Sequence, residues 1–334
     1  MRVLAAPDKF RDSVTASEVA AAISRAVRSV GGQCIEMPVA DGGEGTLDVL
    51  GGANRQTLVT GPLGDPVLAG WRLNGTDAVI EMARASGLAL VGGPDGNDPV
   101  AASTTGTGEL IAEAVESGAR RVIIGMGGSA TTDGGFGALR AMYPLQRLRG
   151  VELIVACDVR TRFVDAAEVF APQKGASPAQ VKLLQRRLER LAQLYADEYG
   201  VDVRILDRSG AAGGLAGGLA AIGARLVDGF ELVAEELGLY ERISQADLVV
   251  TGEGFLDAQS FEGKAVGGVA ELAAAAGVPV LAVVGDIYDG AEHPGLVGFE
   301  AVSLVRNYGV ERSFGDPVGC IEALVADLIA ERMS

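Results

Sequence analysis

RVLAAPDKFRDSVTASEVAAAISRAVRSVGGQCIEMPV, residues 2–39, reads as one strand-helix-strand unit. Arg2–Ala6 is a short apolar run and Pro7–Ser13 a loop. Thr15 and Glu18 spell a capping box ahead of a helix. Val19, Ile23, Ala26, Val27 and Val30 then recur at helical spacing, and Gly31-Gly32 ends the pattern. Gln33–Val39 is the next strand. Such a unit closes right-handed with its strands parallel, so the chain opens as an α/β domain.

The same alternation returns near the other end. Leu248–Thr251 reads as a strand, Ala265–Ala276 as a helix, Val278–Val284 and Ala301–Val305 as strands, and Pro317–Arg332 as a closing helix. The middle differs. Residues 55–82 hold short runs between the turn signals Gly61-Pro62, Gly64-Asp65-Pro66 and Asn74-Gly75, the pattern of a local antiparallel section. Arg121–Met126 and Val151–Cys157 are strands, Pro178–Tyr199 is a long amphipathic helix, and Ala211–Ile222 is a small-residue helix. The expected architecture is α/β. A Rossmann- or flavodoxin-like parallel-sheet domain comes from residues 1–60 and 246–334, with a second, mixed α/β domain inserted at 61–245.

Composition narrows the function. The 334 residues are 48% hydrophobic and 22% charged, a globular balance. The net charge of −16 repels phosphate backbones and disfavours nucleic acid as the main partner. Backbone N–H groups can still hold a small anion locally. Three scattered cysteines make neither a disulfide framework nor a zinc site. With no leader pattern and no apolar run near ~18 residues, a cytoplasmic, membrane-free protein is expected. The single histidine, His293, excludes mechanisms needing a histidine pair.

The 48 glycines cluster in loops that follow strands. Gly125–Gly135 (GMGGSATTDGG) follows a buried strand and precedes a helical pattern, where backbone N–H groups converge on an anion. Gly127, Gly128, Ser129, Thr131 and Gly134 are therefore candidate phosphate or nucleotide ligands, and Asp133 a candidate catalytic carboxylate. The loop is neither a Walker A loop nor a dinucleotide fingerprint, which argues against an NAD-linked enzyme. Asp41 and Glu44, in Ala40–Thr46, suit Mg²⁺ or substrate hydroxyls, or else an ordinary Asp-Gly turn. Glu253 and Asp257 are candidate metal ligands, with Lys264 placed to neutralise phosphate charge. Lys9 is a further candidate cation. Ser103–Gly108 is an anion site or a plain cap, Pro172–Gly175 a compact turn with one cation, and Gly210–Gly218 close helix packing. Taken together, these loops fit phosphoryl transfer with ATP and Mg²⁺, Asp41 or Asp133 standing near the acceptor hydroxyl.

At these same segments the chain resembles the bacterial glycerate kinase family. The matching stretches are Ala6–Phe10 with Thr15–Val19, Pro38–Thr46, Gly61–Gly64, Ile80–Leu88, Gly106–Ile111, Gly127–Gly135, Pro172–Ala176, Gly210–Gly214 and Thr251–Gly254. They run in family order over nearly the whole chain. The resemblance implies a two-domain α/β fold with a cleft, and ATP- and Mg²⁺-dependent phosphorylation of glycerate, usually at the 2-hydroxyl. It also exposes departures: Thr132 where the family carries Asn, Phe255 where it carries Arg, Arg160–Phe163 in place of Asn-Pro-Leu, Ala171 for a Gly, and a shortened stretch at Tyr143–Gly150. Phe255 cannot clamp a carboxylate as an Arg does. A polyol or cyclitol acceptor is the alternative, and a non-catalytic ligand-binding homologue a further one. Self-association into a homo-oligomer is left open.

Overall fold

The computed structural model describes residues 1–10, 13–261, 264–288 and 296–334; His293 and Gly263 lie outside them. In chain order the strands are β1 (Arg2–Ala5), β2 (Gln33–Glu36), β3 (Arg55–Thr60), β4 (Pro66–Asn74), β5 (Asp77–Glu81), β6 (Arg121–Met126) and β7 (Glu152–Cys157). There follow β8 (Arg225–Asp228), β9 (Leu248–Thr251), β10 (Phe255–Leu256), β11 (Val280–Val284), β12 (Asp286–Ile287) and β13 (Phe299–Ser303). Two compact units result, Met1–Asp41 with Phe230–Ser334, and Gly42–Gly229.

The first unit carries a parallel sheet in the order β13-β11-β9-β1-β2. Its inner strands β1, β9 and β11 are buried on both faces, as a covered parallel sheet requires, while the edge strand β2 is largely exposed. Val3 and Ala5 pack with Val19, Ile23 and Val27 of the helix Ala16–Ser29, and with Ile321 and Val325 of Pro317–Met333. Leu4 and Ala6 face the other way, onto Phe230, Leu239 and Val269. The helix Ala16–Ser29 starts on the expected Thr15/Glu18 capping box. It ends in a Schellman motif, with Gly31 N–H on Arg28 O and Gly32 N–H on Val27 O. From β1 the chain winds outward to β2, then returns as β9 on the opposite side. The sheet's switch point therefore lies between β1 and β9, where α/β sheets bind ligands beyond the strands' carboxyl ends.

The second unit holds a mixed sheet, β3-β4-β5-β6-β7-β8, antiparallel from β3 to β5 and parallel from β5 to β8. One core, including Trp71, Ile80, Leu110, Ile124 and Phe163, fills it. The units divide at 41/42 and 229/230, away from the expected 60/61 and 245/246. The cause is hydrogen bonding at one boundary and packing at the other. Gly42 O accepts from Met126 N, and Glu81 holds the N–H groups of Gly45 and Leu47, which ties residues 42–50 to β5 and β6. Phe230, Ala234, Leu239 and Ile243 bury against Val39 and Val249.

Two local expectations give way. Ala211–Ile222 is not one helix. Ala212 and Gly213 adopt left-handed dihedrals before the helix Leu215–Ala221 begins, because the backbone there runs against the loop after β6: a Cβ on Gly213 would strike Thr131 O. The strand expected over Ala301–Val305 stops at Ser303, whose hydroxyl accepts from Arg306 N and starts the helix Leu304–Tyr308. Among the described residues no helix is long and apolar enough to cross a membrane.

Candidate active site

In the first unit, extended backbone beyond three strands delivers three carboxylates to one edge. Asp8 follows β1, and its N–H bonds Gly252 O beyond β9, next to Glu253. Val39 N–H bonds Pro7 O, which brings the segment after β2 alongside and places Asp41 nearby. Asp8 is 9% exposed. Burial first, then the charges of Asp41 and Glu253, push its carboxyl up to about 8, while the Lys9 N–H at 2.7 Å and the Lys9 charge partly offset them. Burial likewise raises Glu253 to about 7, against the pull of Ser260 and Lys264. Glu253 Oε1 is buried with no hydrogen-bond partner. Lys264 stands at the start of the helix Ala265–Ala276.

Such an oxygen set, one atom of it orphaned and its like charges crowded, suits a hard divalent cation. Among the described residues no three acidic, cysteine or histidine side chains stand together as a complete metal cage. Mg²⁺ does not need one, since it keeps several waters and uses one or two carboxylates beside phosphate oxygens. Asp257, an expected ligand, is engaged locally instead. Its carboxylate accepts from Ser260 N–H at 3.0 Å and from the Ser260 hydroxyl at 3.3 Å, and its own N–H donates back to Ser260 Oγ at 3.0 Å, a reciprocal cap.

In the second unit, β6 runs into the glycine-rich loop. Here two backbones touch: a Cβ on Gly127 would lie 2.8 Å from Gly43 Cα, and one on Gly128 would overlap the Glu44 carboxylate. Glycine is therefore required at both positions. The Glu44 charge over Gly128 makes the loop a poor cradle for a bare anion and a fitting one for a cation-bridged phosphate. Ser129 and Thr131 rest on Lys174, a fully buried cation whose Nζ donates to Ser129 Oγ at 2.8 Å and Thr131 O at 2.6 Å. Gly134 serves packing. Its carbonyl accepts from Tyr195 Oη at 2.9 Å, and a Cβ there would press on Phe163 and Leu191.

Asp133 is saturated. It accepts from Thr104 N–H and the Thr104 hydroxyl, both at 2.8 Å, from Gly135 N–H at 3.1 Å and from Gly137 N–H at 3.2 Å. It thus ties the start of the helix Phe136–Ala141 to that of Thr105–Glu116, and a carboxylate so occupied is poorly placed to take a substrate proton. Two residues that the sequence reading leaves out of its candidate site, Asp8 and Lys174, are buried against residues it includes. The available signals were an Asp directly after a buried strand and an isolated lysine in a glycine turn.

The raised carboxylates fix a pH dependence. A folded-state carboxyl above its unfolded value keeps a proton that the unfolded chain releases, so stability falls as pH rises toward the folded value. Across pH 5–7 both Asp8 and Glu253 act this way, each by at most about 1.4 kcal/mol per pH unit. Above pH 7 Lys174, lowered to about 7 by burial, works in the opposite sense. Melting temperature therefore falls from pH 5 to 7 in the native chain, and less steeply in Asp8→Asn. Parallel melting curves for the two proteins would contradict the assignment.

A buried carboxylate group at the switch point of one unit's sheet, and a glycine- and hydroxyl-lined loop after a strand of the other, are the equipment of a phosphotransferase with an alcohol group as acceptor. Comparison with known proteins identifies the particular lineage. The model of the glycerate kinase family matches residues 3–143 and 144–323. The chain is 38% identical to glycerate 2-kinase of Escherichia coli over 354 aligned residues, covering 94% of this chain and 90% of the relative. It is 40% identical to a glycerate kinase of Bacillus subtilis, covering 86% and 85%. A solved structure from Salmonella typhimurium LT2, provisionally assigned as glycerate kinase 2, superposes with a TM-score of 0.84 at 34% identity, covering 100% of this chain and 98% of that one. The chain belongs to the glycerate kinase family.

Proposed function

We propose that the chain transfers the γ-phosphoryl group of ATP to the 2-hydroxyl of D-glycerate, giving 2-phosphoglycerate. The raised carboxylates of Asp8 and Glu253, beside Asp41, carry the reading. Burial and neighbouring charge hold Asp8 and Glu253 above the ordinary carboxylate range. They can therefore accept the proton that leaves the acceptor hydroxyl, with Asp41 closest to the acceptor. Lys9 and Lys264 offset the charge of the transferring group. Gly127, Gly128, Ser129 and Thr131 hold phosphate, with Asp133 and Gly134 shaping that loop from behind. Mg²⁺, when bound, neutralises phosphate charge; Glu253 and Asp8 of the first unit are the residues proposed to hold it. The 2-position follows the Escherichia coli relative, a glycerate 2-kinase.

Phe255 favours a second reading. Its ring is 41% exposed and stacks on Tyr288 with centroids 5.4 Å apart, so an aromatic surface stands where the family's arginine is expected. Acceptors without a carboxylate, polyols or cyclitols, then become the substrate class. ADP release from Mg-ATP, measured with D-glycerate beside other hydroxy acids, polyols and cyclitols, separates the two, and phosphorus NMR places the phosphate. The expected result is turnover of D-glycerate to the 2-phosphate. Turnover of a polyol with silence from glycerate would replace the acceptor, and silence throughout would remove the kinase reading.

A further inference from the structure

Lys174 presents a physical problem that the reaction so far does not use. It sits in the turn Pro172–Lys174, 2% exposed, and among the described residues no acidic side chain forms an ion pair with it. Burying a cation without a paired anion is unfavourable. The nearest opposing charge is Asp133, whose carboxylate already serves the N–H groups and hydroxyl around it. The surrounding structure nonetheless holds the lysine firmly. Asn97 Nδ2 donates to Lys174 O at 2.9 Å and to Ala130 O at 3.0 Å, joining the lysine's turn to the loop it supports. The hydroxyl of Thr131 is buried beside it with no partner.

An ammonium group only donates. Ser129 Oγ therefore accepts from Lys174, and its own hydrogen must be given to something else. Thr131 O is drawn toward the same nitrogen. Ser129, 9% exposed, is less buried than Thr131 and Thr132 of the same loop, and with the lysine protonated its hydroxyl is an obligatory donor backed by a positive charge. That is a receptor for an anionic oxygen, and the anion would supply the countercharge Lys174 lacks.

We propose that Lys174 is a positioning residue for the nucleotide's phosphates, acting through Ser129 and Thr131 without touching the nucleotide. This rests on reading the loop after β6 as the phosphate site. The test compares Lys174→Gln, Ser129→Ala and the double variant by direct binding of Mg-ATP and by steady-state kinetics. Each single variant is expected to weaken Mg-ATP binding and raise its KM at least tenfold, with the KM of the acceptor within twofold. The double variant is expected to be little worse than either single one.

Weakened nucleotide binding in Ser129→Ala with none in Lys174→Gln would overturn the role of Lys174 and leave the loop reading standing. Unchanged nucleotide binding in both would remove the loop reading as well. A rise confined to the acceptor KM would overturn the proposal too. Where Lys174→Gln fails to fold, the native enzyme decides. Asp133 is the charged group facing the lysine, and loss of the lysine's proton raises the Mg-ATP KM severalfold between pH 7 and 9. Ser129→Ala removes that rise. A flat native profile, or an equal rise in Ser129→Ala, would overturn the assignment.

Discussion

Asp41→Asn is expected to lower kcat by about 10²–10⁴-fold, the range a positioned general base contributes, with no loss of melting temperature at pH 8. Both parts follow from one cause. Asp41 is among the charges that hold Asp8 well above the ordinary carboxylate range, second only to burial. Its charge also raises Glu253. An amide at 41 keeps the shape and removes the charge, so Asp8 and Glu253 become weaker bases and the acid limb of the pH–rate profile moves to lower pH. The same change relieves repulsion in the folded state, so stability at pH 8 holds or rises. Activity and stability thus part company, as at a site where like charges are gathered for use. Full turnover in Asp41→Asn, or loss of turnover together with a collapse in melting temperature, would contradict this assignment.

What could be read in the sequence was set by local chemistry. The capping box at Thr15 and Glu18, the strand Arg121–Met126 and the helices Ala265–Ala276 and Pro178–Tyr199 stand where their spacing places them, because caps and periodicity act within one element. Gly127 and Gly128 read as phosphate-loop glycines, and the segment at Gly43 and Glu44 that they pack against was not legible. Asp8 was passed over because its burial comes from β9, which begins 240 residues later in the chain. Lys174 looked like a turn cation because its partner Ser129 lies 45 residues back. Asp133 was read as chemistry because Thr104, which saturates it, belongs to a different helix start. In each case residue type pointed to the neighbourhood, and only the fold supplies the tertiary partners.

Asp133 therefore supplies the sharpest contrast between reading a motif and reading a structure. As a catalytic base, Asp133→Asn would abolish turnover and leave stability alone. As the tie between two helix starts, it should do the reverse. Asp133→Ala orphans the N–H groups of Thr104, Gly135 and Gly137 and the Thr104 hydroxyl in a buried setting. Each unsatisfied buried group costs about 1–3 kcal/mol, and partial relaxation brings the whole to about 3–5 kcal/mol. For a domain of this size that is a drop of about 10 °C or more in melting temperature. Asp133→Asn keeps one acceptor oxygen and places an amide donor where Thr104 or Gly137 already donates, so about half the loss is expected. Its turnover, measured below the melting range, should stay within tenfold of the native enzyme, since the loop carrying Ser129 is anchored separately by Lys174 and Asn97. Abolished turnover at an unchanged melting temperature would restore Asp133 to the reaction and displace Asp41 from it.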